Sequence, residues 1–377
     1  MKKPKALLLL TVLLMISQTI PFGFSADYNQ SYDLLNKPDG SIYYRLNVNV
    51  QQSLYDYYVG RSHRLDSPSD FAKFVTPYAL QPIADRLWEI YSDDEDFVNG
   101  VLMIVHQIPY EVTGPPKYPV ETIAENKGDC DLFSYIAASV IKAGGLDVVL
   151  LYYESVAHMN IGVSLSHVPR DARTQVYYVT YEGVRYYMAE VTGGDWQNGW
   201  RVGECPSELR NAPAQVITLE NSDQSTHGQV SASYKALASS SLSLTASSTF
   251  VIQGATVTLF GQLGDAMQDE TIAIYVKINN SPWKVLGTTI TNDAGYFSYS
   301  WNTDAAGICY VRASWSGNDD YAGADSLIQT VTVMSLFFLL LLGLTIVMVF
   351  VGIAIYLVSR HARPEIVEPE PPEIPSF

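Results

Sequence analysis

From Ser67 to His106 apolar residues return every third or fourth position: Phe71, Phe74, Val75, Ile83, Leu87 and Ile90. That spacing predicts amphipathic helices. Asp93 reads as the N-cap of a further helix carrying Phe97, Val101, Leu102 and Val105. Residues 108–119 hold four prolines and read as an irregular crossing segment. The stripe Leu132, Ile136, Val140 and Ile141 then predicts a helix, with Asp129 as its cap and Gly144-Gly145 as its end. After it the period shortens to that of strands. Val148–Tyr153, His158–Leu165, Val176–Tyr181 and Val184–Val191 are strand candidates, the last two joined by the tight turn Glu182-Gly183. Helices followed by an antiparallel sheet predict an α+β domain over residues 26–215. Residues 27–66, inside it, carry no pattern that assigns an element.

Residues 216–240 are rich in Ser, Gln, Asn and Thr and read as a linker. From 241 to 333 only short alternating segments recur, among them Ala255–Leu259, Thr271–Val276, Tyr296–Trp301 and Cys309–Trp315. These predict an all-β sandwich.

Two longer apolar runs belong to neither domain. Ala6–Ile20 follows Lys2, Lys3 and Lys5 and precedes the small residues Ser25-Ala26, so residues 1–25 read as a secretory signal peptide. Residues 334–358 form a 25-residue stretch without charge, long enough to cross a bilayer. Arg360 and Arg363 follow it, while Asp319, Asp320 and Asp325 precede it. This asymmetry predicts a single-pass cell-membrane protein whose domains face outward and whose C-terminus is cytoplasmic. The Pro/Glu-rich tail, 359–377, is too polar to fold alone. The net charge of −16 argues against a nucleic-acid partner, which needs a basic face.

An exported location changes how the three cysteines read. They are too few and too differently placed for a disulfide framework. Cys309 lies among strands and reads as a small buried hydrophobe. Cys130 lies at a helix start, where the helix dipole stabilises a thiolate, and Gly128-Asp129 bares backbone N–H groups beside it. A thiolate nucleophile needs a proton shuttle, and His158 heads the second strand. Glu190 ends the strand of the following hairpin. If these strands are antiparallel neighbours, the start of one lies beside the end of the other. Cys130 would attack, His158 would carry the proton, and Glu190 would orient the imidazole. An amide from Gln107 or Asn126 is a candidate oxyanion donor; the sequence does not choose between them. A Cys130–Cys205 disulfide would silence the thiol and leave His158 and Glu190 without a task.

The stretch from about Ile108 to Glu208 resembles the transglutaminase-like superfamily, especially its exported prokaryotic branch. The resemblance lies in "IPY" (108–110), "YPVETIAENKGDCDLFSYIAASVIKAGG" (118–145), "HMNIGV" (158–163) and "YYMAEVTGGDWQNGWRVGECP" (186–206). It implies that Gly128-Asp129-Cys130-Asp131 is the nucleophile motif, that His158 is the family's histidine, and that Glu190 stands where many members have Asp. It also implies a papain/transglutaminase-like fold, and amide acyl transfer through a Cys130 thioester. Water as acceptor makes the chain a peptidase or amidase; an amine makes it a cross-linking enzyme. Protein, peptide and cell-wall amides are the candidate substrates. The chemistry needs no cofactor and no metal.

The stretches "GATVTLFGQL", "TNDAGYFSYSW" and "GICYVRASWSGNDDYAGADS" resemble bacterial immunoglobulin-like repeats. The acidic "SGNDDYAGAD" lacks the spacing of a dedicated calcium loop. Asn29-Gln30-Ser31 and Asn279-Asn280-Ser281 are sequons. The competing reading is a non-catalytic, adhesin-like binding protein.

Overall fold

A computed structural model describes residues 27–264 and 267–361. The expected signal peptide and most of the polar tail lie outside these residues. The chain is mixed α+β. Its first part opens with a hairpin, β1 (Tyr28–Leu35) and β2 (Tyr43–Val50), followed by helix α1 (Gln52–Val59). A 3-10 turn at Pro68–Phe74 leads to α2 (Pro77–Ile90) and α3 (Asp94–Val105), and Asp93 caps α3 through the N–H of Glu95. Helices α4 (Pro119–Glu125) and α5 (Cys130–Ala143) follow.

Five antiparallel strands build the sheet behind α5: β3 (Val148–Tyr153), β4 (His158–Val163), β5 (Tyr178–Tyr181), β6 (Val184–Ala189) and β7 (Gln215–Ile217), in the order β5-β6-β4-β3-β7. Leu132 to Ile141 are all buried, so this stretch of α5 is covered all round, between α2, α3 and the β3–β4 face. The β5–β6 turn has φ of 49° at Glu182 and 83° at Gly183, the left-handed pair that a two-residue hairpin requires.

Residues 216–240, expected as a linker, are not free chain. Part of β7 lies here, as does β8 (Ser231–Ser233), which pairs with β2. Ile217, Leu219, Val230 and Ala232 are buried. Each apolar group is too short to show a period, yet each finds a strand or helix to cover it.

The second part is a sandwich of two sheets. β9 (Thr245–Ala246), β11 (Thr256–Gln262) and β14 (Tyr296–Asn302) form one. β10 (Phe250–Ile252), β12 (Thr271–Ile278), β13 (Lys284–Ile290), β15 (Gly307–Gly317), β16 (Ala322–Asp325) and β17 (Gln329–Met334) form the other. Val257, Leu259, Phe297 and Trp301 meet Ile272, Ile274, Val311 and Trp315 in its core, where Cys309 is fully buried. The chain continues into α6 (Leu336–His361), whose segment Leu336–Ser359 is long and apolar enough to cross a membrane.

Candidate active site

Cys130 is the first residue of α5 and is partly exposed, whereas Cys205 and Cys309 are buried; all three are free thiols. The proline-rich segment straps the turn before it. Gly128 N–H bonds to the Pro109 carbonyl (3.2 Å), and Glu111 N–H to the Gly128 carbonyl (2.7 Å). A Cβ on Gly128 would come within 3.0–3.1 Å of Phe133, Leu132 and Thr122, so glycine lets the turn lie against α4 and α5. Asp129 stands at the N-cap but makes no capping bond. Its carboxylate instead accepts from Thr113 N–H (2.8 Å) and Oγ1 (3.2 Å), which fastens the strap to the helix start. Burial and the neighbouring Asp129 push the Asp131 pKa up, which favours its neutral form near the sulfur.

Strand pairing delivers the other two residues. β4 and β6 pair with Ile161 opposite Ala189 and Gly162 opposite Met188. Continued by one residue, that register sets Asn160 opposite Glu190 and His158 on the diagonal, on the same face. His158 Nε2 lies 3.1 and 3.0 Å from the two Glu190 carboxylate oxygens. Its other ring nitrogen makes no bond to Glu190, and the Cys130 side chain lies near enough to act on the ring electrostatically. Burial disfavours an imidazolium here, but Cys130 and Glu190 outweigh it and raise His158 to about 10. Burial would likewise raise Glu190, which is 1% exposed; His158 and Thr192 outweigh it and hold the carboxylate below its usual range.

Three residues that the sequence reading missed complete this arrangement. Asn160 Nδ2 donates to Glu190 (3.1 Å), and Thr192 donates through its N–H (3.0 Å) and its hydroxyl. Buried His106 donates Nε2–H to the Glu190 carbonyl (3.0 Å), and burial lowers its pKa. Asn160 and Thr192 each lie two residues beyond a predicted site residue, which on a strand is the same face; that was the available signal. His106, far off in sequence, gave none.

Gln107 is not free to serve an oxyanion. Its Nε2 donates to the carbonyls of Asp33 and Met103 (2.8 Å each), and its Oε1 accepts from Asp33 N–H (2.8 Å). Asn126 ends α4 with φ of 52°, a left-handed cap that suits asparagine. The donor nearest the sulfur is the N–H of Cys130 itself, one of the first-turn groups without an intrahelical acceptor.

The site opens on one cavity, and a second lies beside His106, lined by none of Cys130, His158 and Glu190. The first, of about 270 Å³, lies between Val156, Trp200, Pro206 and Leu209 and reaches His158 and Glu190. The second, of about 150 Å³, is bounded by Tyr110, Phe133 and Gly193-Gly194. A larger cavity, about 350 Å³, lies between the β1–β2 hairpin and the sandwich, lined by amides and hydroxyls; it holds none of the reactive groups. Asp93, Asp94 and His167 cluster closely enough to hold a cation, but the Arg170 guanidinium already lies 2.8 Å from Asp93 and 2.9 Å from His167.

No protein-family model matches the chain, and no curated protein does. Among solved structures, one on T cell specificity and activation by the bacterial superantigen toxic shock syndrome toxin-1 contains a similar chain. The two share 13% identity over 25% of this chain and 98% of that one, with a TM-score of 0.21. A likeness of that size carries no argument about fold or function.

Proposed function

We propose that the chain is a transglutaminase-like cysteine enzyme, anchored in the cell membrane, that cleaves or exchanges amide bonds through a thioester on Cys130. The observation that carries this reading is the His158–Glu190 pair, its carboxylate held by four donors, with Cys130 at the start of α5 near enough to raise the His158 pKa. The thiolate attacks the amide carbonyl, and the oxyanion accepts from the Cys130 N–H. The imidazolium of His158 gives its proton to the departing amine. Water, or an amine, then loses a proton to His158 and opens the thioester. Glu190 stays ionised and offsets the imidazolium charge. We favour hydrolysis, with protein, peptide or cell-wall amides as substrates.

The reading extends to the whole chain. The sandwich is an immunoglobulin-like unit, and both units face outward from a single span.

The test uses the full chain in detergent, offered peptide and wall-type amides with and without an added amine. Turnover, a substrate acyl adduct on Cys130 by mass spectrometry, and loss of both in Cys130→Ala are expected. A thiol-directed probe should label Cys130 much faster than Cys205, whose thiol burial pushes up to about 11. Slow, equal labelling of all three cysteines with no turnover would favour an adhesin-like binding protein instead.

A further inference from the structure

β17 passes into α6 through Ser335 alone, and the Leu339 N–H already bonds to the Ser335 carbonyl. The sandwich therefore stands directly on the helix, with no stalk between them. At this end the sheet presents apolar side chains outward. The pairing puts Phe250, Thr332 and Ile308 in one row across β10, β17 and β15, with Ile252 beside Met334 in the next. Phe250 is 55% exposed, and Ile252 and Ile308 are 45% exposed. Cys309, next to Ile308, and Val331 and Val333, on either side of Thr332, are buried in the core, so alternation along the strands sets which face looks out. Scattered exposed apolar residues need no explanation, but these three are contiguous and adjoin the start of α6.

We infer that this end of the sandwich rests on the lipid surface, with Phe250, Ile252 and Ile308 in the interfacial layer of the bilayer. The inference rests on α6 crossing that bilayer. It fixes the height of the catalytic unit. β15 starts at Gly307, beside the patch, and ends at Gly317. There the Ser316 carbonyl accepts from Gln51 Nε2 (3.1 Å), and the Ser316 hydroxyl from Gln229 N–H (3.2 Å). Ile308 of the patch and Ser316 of the junction lie on this one strand, and at about 3.3 Å per residue the junction is about 26 Å along it from the patch. The substrate is then an amide in the layer above the membrane, not one in the lipid headgroups.

The experiment places the full chain in lipid nanodiscs containing a phosphatidylcholine with a photoactivatable group near its headgroup. Adducts are mapped by peptide. They are expected in 250–254 and 304–308 as well as in α6, and not in 291–296 at the far end. The double variant Ile252→Ser, Ile308→Ser should lose the sandwich adducts severalfold and keep those in α6. Adducts in α6 alone would overturn the lipid contact. An absence of adducts in α6 would instead defeat the membrane-spanning reading. Light-induced protein dimers joined through 250–254 would assign the patch to a second copy and likewise overturn the inference.

Discussion

Glu190 shows how much one buried carboxylate is asked to do. It accepts from His158, Asn160 and Thr192, while its own carbonyl is held by His106. Glu190→Gln places an amide where every neighbour is a donor and removes the charge that offsets the imidazolium. A neutral replacement of this kind costs about ten-thousand-fold in a serine triad. A thiolate needs less help, so a fall in kcat of roughly ten- to a thousand-fold is expected, with Glu190→Asp less impaired. Equal rates for the parent and Glu190→Gln would remove Glu190 from the mechanism. The same pairing sets the pH dependence. His158 is raised from 6.5 to about 10, so its stabilising contribution is full below 6.5 and is lost as the pH rises through 10. A kcat/KM profile should therefore fall on its alkaline side near pH 10 in the parent. It should fall at lower pH in Glu190→Gln; coincident profiles would contradict the pairing.

At the scale of elements, β4 does the positioning. It lies between β3 and β6 and carries His158 and Asn160 on the face that meets Glu190. Gly162 lets its neighbours close in: a Cβ there would lie 2.9 Å from Tyr186 Cβ and 3.2 Å from Val149 Cγ2. Gly162→Ala should push β4 away and cost about 1–3 kcal/mol, read from the urea midpoint. An unchanged midpoint would mean that the sheet yields freely. Helix α5 is different. Its ends were legible because a helical stripe and a terminal glycine pair are local signals, but the use of Asp129 was not. Its carboxylate turned from the expected cap to Thr113, because the strap of 108–113 reaches the helix start from outside the local sequence.

Across the whole molecule, the two units are joined through buried charge. Asp325 of the sandwich accepts from Ser53 N–H (2.7 Å) and Oγ (2.6 Å), supplying the cap that α1 lacks in its own sequence. Arg312, its side chain 5% exposed, bonds to Asp56 at 2.9 Å and stacks 4.8 Å over Trp283. Helix α1 packs in turn on α4, which leads into the Cys130 turn. The full chain should therefore unfold in one cooperative transition outside the membrane. Asp325→Ala removes a cap and a partner of Arg312 and should cost about 3 kcal/mol. It should also separate the melting of the two units in calorimetry. Two transitions in the parent, or an unmoved midpoint in the variant, would show that the units are independent.

The sequence by itself determined what depends on neighbouring residues. The helices after Ser67, the α5 start at Cys130, the Glu182-Gly183 turn and the long apolar C-terminal segment are each written in periods, caps or run length. The tertiary structure decided what depends on partners distant in the chain. β1 and β2, unassigned in the sequence, form a sheet with Ser231–Ser233, a segment too short to carry a period. Gln107 was drawn away by Asp33, across 74 positions of chain. Asn160, Thr192 and His106 gained their roles only when β4, β6 and α3 came together around Glu190. Local propensity acts over a few residues, whereas a buried polar group must be satisfied by whatever the fold brings within hydrogen-bond reach.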